Sequence, residues 1–78
     1  MLLGEDPASP YPEDGDHWAG VYRELVTFKE GLIQQVEAAW EEVSPEARAE
    51  IERDVSVLQA ELERLKLHLL FWEERQAR

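Results

Sequence analysis

The segment that decides the fold runs from Ile51 to Trp72 and reads IERDVSVLQAELERLKLHLLFW. Apolar residues recur along it at alternating spacings of four and three residues, which is the a/d pattern of a coiled-coil helix. Alanine and leucine are frequent in it, so local helix propensity agrees with the pattern. The segment therefore predicts a long helix with one apolar seam, made of Ile51, Val55, Leu58, Leu62, Leu65, Leu69 and Trp72.

A second amphipathic pattern precedes this helix and covers residues 17–43. Its apolar residues recur at helical spacing, and Asp16 stands where an N-cap is expected. Ser44 is a strong N-cap residue and Pro45 is favoured at the first helical position, so the pair predicts a tight turn followed by a new helix. We predict a first helix over about residues 17–43, a turn at Ser44 and a second helix over about residues 45–76.

No part of the sequence alternates as a strand would, so the predicted class is all-α: an antiparallel, coiled-coil-like two-helix hairpin. The apolar stripe of the first helix is wider than one neighbouring helix can cover. Left exposed, it would exceed the apolar patches that soluble monomers usually show. We therefore expect two hairpins to pack as a homodimeric four-helix bundle, the alternative being a different protein that supplies the missing helices. The stripe's edges are Trp18, Tyr22, Ile33 and Trp40 on one side, and Val21, Phe28 and Ala39 on the other.

The first sixteen residues differ in composition from the rest. They carry five acidic residues, no Lys or Arg, and three of the four prolines. That composition is typical of a disordered segment, so residues 1–16 are predicted to form a disordered, acidic, proline-rich tail, and residues 17–78 the hairpin.

The charge balance excludes some partners. The net charge is −10, from 18 acidic and 8 basic residues. Nucleic acids and anionic membranes need clustered Lys and Arg, so neither is expected as a direct partner. No apolar run is long enough to span a bilayer, and the N-terminus lacks the pattern of a secretory signal. The chain has no cysteine, which fits a reducing compartment, and we expect a cytoplasmic protein.

Near its end the second helix is apolar on every side, in the stretch LKLHLLFW from Leu65 to Trp72. Leu67, Leu70 and Phe71 lie off the seam, and a helix that is apolar all round is normally buried all round. We therefore expect a second contact there, either with residues 1–16 or with another chain. The predicted interface comprises Trp18, Val21, Tyr22, Phe28, Leu67, Leu70, Phe71 and Trp72.

Lys29 is a polar residue within the apolar stripe of the first helix, across from Glu61 in an antiparallel pairing about Ser44. Three interpretations stay open. Its stem packs while its ammonium reaches Glu61; it fixes the register of the seam at some cost in stability; or it is a ligand-binding or catalytic lysine. The tryptophans likewise belong either to the core or to an aromatic cage.

The sequence gives little support for a catalytic, metal-binding or phosphate-binding site. A di-iron bundle needs a Glu-x-x-His motif turned inward, but Leu65 stands three residues before His68. The other histidine, His17, follows Asp14 and Asp16, but a metal site needs three or four ligands that converge. Glu30, Glu37 and Glu41 share a helix face, but it is the outer one. No serine has a histidine and a carboxylate arranged to activate it, and there is no Gly-rich phosphate loop. We therefore expect no enzyme activity, no metal site and no cofactor.

Glu52 and Ser56 fit the first two places of a signature found in a class of small bacterial helical proteins. In outline the chain is similar to small bacterial helical hairpins, some of which are anti-sigma factors. One such class, which binds cyclic di-GMP, has the signature Glu-x3-Ser-x2-Arg-x3-Gln-x3-Asp, and these two residues fit its first two places. Gln59, Glu63 and Leu67 replace the arginine, glutamine and aspartate. The arginine that would meet a phosphate is absent, so the resemblance does not extend to the ligand.

Together these patterns predict a small non-enzymatic protein–protein interaction module: an oligomerising helical hairpin that acts as a regulator or adaptor. Its expected partners are a second copy of itself and, as a further candidate, another protein, which a helical apolar face is suited to bind. The alternative is a ligand- or metal-holding bundle with Lys29 and the tryptophans lining the site.

Overall fold

The computed structural model describes residues 2–76 and is an antiparallel helical hairpin whose longest dimension is 51 Å. Helix α1 spans Pro12–Ala38, a 3-10 turn follows at Trp40–Glu42, and helix α2 spans Pro45–Gln76. No strand occurs in the described residues. The all-α class and the two-helix architecture that the sequence predicts are confirmed.

Helix α1 begins at Pro12, five residues before the expected start, so Asp16 lies inside the helix and is not its N-cap. Proline suits this first position because its φ is already helical and its missing N–H would have had no intrahelical partner. Glu13 and Asp14 then place negative charge in the first turn, where the helix dipole favours it. The prolines that suggested disorder thus include the residue that starts the helix.

The end of α1 also differs from the prediction, since the α-helix stops at Ala38 and the last turn tightens into a 3-10 helix. Arg48 stabilises this tighter turn from the start of α2. Its guanidinium donates to the Trp40 carbonyl at 3.3 Å and to the Val43 carbonyl at 3.2 Å, and it lies over the Trp40 ring. Ser44 accepts a hydrogen bond from the Ala47 N–H at 3.3 Å, which is the N-cap that the sequence predicts.

The core lies between the two helices and is densest at the open end of the hairpin, the end opposite the turn. One cluster there joins Ala19, Tyr22 and Trp72, and a second, in the middle, joins Val26, Ile33 and Leu62. The coiled-coil seam of α2 faces this core. Toward the turn, the apolar side chains are only half-buried: Leu32, Val36, Trp40, Ile51 and Val55.

The disordered tail is not confirmed. Residues 12–16 are helical, and residues 2–11, here called the N-terminal segment, form two turns that lie against the open end. Gly4 has a φ of 84°, a conformation that glycine adopts without strain, in the turn closed by the Glu5 N–H and the Leu2 carbonyl. Asp6 and Pro7 start the next turn, with the Asp6 side chain accepting from the Ala8 N–H at 2.9 Å.

Within residues 2–76 neither helix is long and apolar enough to cross a membrane.

Candidate functional site

A buried carboxylate anchors the N-terminal segment to both helices. The side chain of Glu5 is fully buried, and it accepts hydrogen bonds from the Tyr22 hydroxyl of α1 and from the Trp72 indole N–H of α2, the latter at 2.8 Å. The backbone N–H of Leu2 donates to the same carboxylate at 2.9 Å. His68 Nδ1 lies 3.8 Å away. Glu5 therefore joins the segment, α1 and α2 at one point.

The surroundings of Glu5 favour its ionised form. Burial alone raises the pKa of this carboxyl, but the hydrogen bonds from Tyr22, Trp72 and the Leu2 N–H, together with the nearby His68, outweigh burial and leave the pKa below its ordinary value. Burial, followed by the hydrogen bond to Glu5 and its negative charge, raises the pKa of Tyr22. The pair is thus a charged acceptor with a neutral donor, which is the stronger class of hydrogen bond.

Ser9 is the second anchor of the segment and is almost fully buried. Its hydroxyl donates to the Asp14 carboxylate at 2.5 Å, and its carbonyl accepts from the Arg75 guanidinium at 2.6 Å. Arg75 also lies over the rings of Phe71 and Trp72, at 5.5 and 5.8 Å from their centroids. Arg75 therefore ties the segment to the end of α2 by a hydrogen bond and by cation–π contacts.

An open groove of about 410 Å³ runs from the N-terminal segment toward the middle of the hairpin. We call it the open-end groove. Three basic side chains, Lys29, Arg64 and His68, and one acidic side chain, Glu61, line it on a chain of net charge −10. Its lining residues are Leu2, Tyr22, Leu25, Lys29, Glu61, Arg64, Leu65 and His68.

Lys29 borders this groove, and its ammonium lies 2.5 Å from the Glu61 carboxylate. The hydrogen bond and the charge of Lys29 lower the pKa of Glu61. Both side chains remain partly exposed, at 23% for Lys29 and 37% for Glu61. This geometry is that of a lysine whose stem packs on the seam while its head group is paired at the surface.

The tryptophans do not surround Lys29. Trp18 and Trp72 belong to the open-end core cluster, whereas Trp40 lies at the turn under Arg48. His68 stacks on Tyr22 at 5.1 Å between centroids, and His17 contacts the edge of Trp18. In the part of the chain that the structure describes, no three His, Asp or Glu side chains converge as a metal site.

The outer face of α2 is apolar and largely open to solvent, and the Arg75 guanidinium over the Phe71 ring covers part of it. We use the name outer face for Leu67, Leu70 and Phe71, which lie three and four residues apart and therefore share one side of the helix. They are 66%, 52% and 37% exposed. The sequence predicts that either residues 1–16 or another chain covers these side chains. In the described residues the N-terminal segment packs elsewhere and leaves them exposed.

The other predicted interface residues fall into three groups. Tyr22 and Trp72 are buried in the hairpin's own core. Trp18 and Val21 are half-buried. Phe28 is 62% exposed on α1 and is a second apolar side chain open to a partner.

Sequence reasoning missed Glu5, Ser9 and Arg75 as a set. A signal existed for the first of them: buried Tyr and Trp side chains need a hydrogen-bond partner, and neither Tyr22 nor Trp72 has one within the seam pattern. The acidic segment was the nearest source of such a partner. Composition alone does not say which of its five carboxylates is used.

This chain matches no protein-family model, no curated protein and no solved structure.

Proposed function

We propose that this chain is a non-enzymatic protein–protein interaction module that self-associates through the outer face of α2, bringing two hairpins together as a four-helix assembly. The observation that carries the proposal is the exposure of Leu67, Leu70 and Phe71 side by side on one helix. Single exposed apolar residues are ordinary, but a contiguous group bounded by charged residues is typical of an interaction surface.

The boundaries of the outer face support this use. Glu63 precedes Leu67 by one helical turn and Glu74 follows Leu70 by one, and both are exposed. A patch of apolar side chains with a charged rim is the usual anatomy of a protein interface. A second copy of the chain provides the same patch, as a two-fold symmetric contact requires.

The thin core gives a further reason for association. A chain of 78 residues buries a modest share of its surface, and here the apolar side chains near the turn are only half-buried. Self-association removes further apolar surface from water without a longer chain. Each Å² of apolar surface removed contributes about 25 cal/mol of favourable free energy before the costs of association. A regulator or adaptor role fits a module whose surfaces bind other helices.

The test is the native mass of the chain measured by light scattering over a range of concentrations. We expect a dimer for the native chain and a monomer for the double variant Leu67→Glu with Phe71→Glu, with unchanged helix content in circular dichroism. The control variant, Gln34→Glu with Gln59→Glu, adds the same charge at exposed polar positions and should remain dimeric.

Salt separates the apolar contact from simple charge effects. Each copy carries −10, so two copies repel each other, and raising the salt concentration should strengthen association of the native chain. A native mass that is monomeric at every concentration and salt level, or equal for the native chain and the double variant, would show that the outer face does not drive self-association.

A further inference from the structure

The N-terminal segment lies on the hairpin much as a short bound peptide lies on its receptor. Glu5 and Ser9 are its buried anchors, four residues apart, while Leu3 between the chain start and Glu5 is fully exposed. Groups of the helices hold both anchors: Tyr22 and Trp72 donate to Glu5, while Asp14 and Arg75 bind Ser9. The backbone N–H of Leu2 adds a contact from within the segment. The helices therefore form a receptor, and the segment is its occupant.

The receptor has the chemistry of a carboxylate-binding site. A hydroxyl and an indole N–H converge on one carboxylate in a fully buried position, with His68 Nδ1 at 3.8 Å. Lys29 and Arg64 line the groove beside it together with one acidic residue, Glu61, which is paired with Lys29. Arg75 lies outside this groove and binds the Ser9 carbonyl at the other end of the segment. The chain has only 8 Lys and Arg against 18 acidic residues, so this grouping gives the open end a complement to an acidic ligand.

We infer that the open-end groove is a docking site for an acidic peptide segment of a partner protein, one that inserts a glutamate carboxylate between Tyr22 and Trp72, and that the N-terminal segment holds this site as an intramolecular competitor. The site is distinct from the outer face, although Arg75 contacts both the segment and Phe71, and peptide binding does not require self-association.

A partner's segment is favoured over the segment of a second copy. A short tether gives the chain's own segment an effective concentration in the millimolar range, so an identical segment from another copy gains no contact with which to displace it. A partner peptide can gain contacts, because about 410 Å³ of groove extends past Leu2 to Lys29 and Arg64.

The experiment uses the full chain with Glu5→Ala, labelled with nitrogen-15, and follows the indole N–H resonance of Trp72. The probe is the acetylated peptide LLGEDPASP, residues 2–10 of the chain, and its twin carries glutamine in place of glutamate. We expect the glutamate peptide to move the Trp72 resonance toward its position in the native chain. The glutamine peptide should bind about tenfold more weakly, because a charged acceptor forms the stronger hydrogen bond.

Two further arms complete the design. The native chain should bind the glutamate peptide at least tenfold more weakly than the Glu5→Ala chain, because its own segment competes. Glu5→Gln is the second variant, to be used if Glu5→Ala loses helix content, because glutamine keeps the shape of the side chain. It should also bind the glutamate peptide more tightly than the native chain does.

Three results would overturn the inference: no shift of the Trp72 resonance with either peptide, equal binding of the two peptides, or equal binding by the native and variant chains. A fourth arm mixes labelled Glu5→Ala chain with unlabelled native chain. If the native chain moves the Trp72 resonance while the free peptide does not, the occupant is a second copy, and the assignment to a partner's peptide is wrong.

Discussion

We expect the variant Glu5→Ala to be much less stable than the native chain, because it loses the hydrogen bonds of the Glu5 carboxylate. The carboxylate accepts hydrogen bonds from Tyr22 and Trp72, both in the core. Each hydrogen bond to a charged group contributes about 1.5–3 kcal/mol. Part of this gain offsets the cost of burying the carboxylate and of ordering the segment, and the substitution removes those costs as well. We expect a net decrease of about 2 kcal/mol in the free energy of unfolding, judged from these opposing contributions.

That loss is easy to measure in a chain of 78 residues. Total stability at this size is about 4–12 kcal/mol. A loss of about 2 kcal/mol corresponds to a fall of roughly 8–16 °C in the melting temperature. Thermal unfolding followed by circular dichroism gives the melting temperature, and urea unfolding gives the free energy of unfolding independently.

Glu30→Ala is the matched control, because Glu30 is an exposed glutamate on α1. It should change the unfolding free energy by less than about 0.5 kcal/mol. Glu5→Gln should lie between the two, since an amide still accepts from Trp72 but lacks the charge. If Glu5→Ala and Glu30→Ala melt at the same temperature, the segment does not contribute to stability through Glu5, and the receptor described above has no energetic basis.

Three other predictions concern single residues. Because the pKa of Glu5 is lowered from 4.5 in the folded chain, its stabilising contribution is fully present above that pH and is lost as the pH falls through the lowered value. Urea unfolding at a series of pH values from neutral to strongly acidic should therefore show the native chain more stable than Glu5→Gln near neutral pH and no longer so in acid. If the native chain remains more stable in strong acid, ionised Glu5 is not the source of the difference. Gly31→Ala should raise the unfolding free energy by about 0.5–1 kcal/mol, because a Cβ there meets open space on a helix. Gly4→Ala should lower it, because the φ of Gly4 is 84°, and equal effects of the two substitutions in thermal melts would contradict this reasoning.

The hairpin was predictable because its signals are local and repeated. The α2 seam covers the helix from Ile51 to Trp72, and a pattern of that length has few other interpretations. Ser44 and Pro45 mark the turn by their own chemistry, with no need of distant contacts. The opposition of Lys29 to Glu61 then follows from the antiparallel pairing, and the structure has the two side chains in contact.

The N-terminal segment was not predictable by the same means. Its composition favours disorder, but Gly4 and the pair Asp6-Pro7 are also turn residues, and here they act as such. What holds the turns in place is a set of contacts across the whole chain, such as Glu5 with Trp72 and Ser9 with Arg75. Neither periodicity nor composition carries information on contacts between residues so far apart in sequence.

The two proposed surfaces meet at Arg75. Its guanidinium holds the Ser9 carbonyl of the segment and at the same time lies over Phe71 of the outer face. Release of the segment removes one partner of Arg75 and leaves its contact with Phe71 free to rearrange, so a ligand in the groove has a physical route to the self-association surface. For this reason the mass of the outer-face variants is best measured near neutral pH, where Glu5 is ionised and the segment is docked. A change in mass there reports on the loss of Leu67 and Phe71 rather than on an undocked segment.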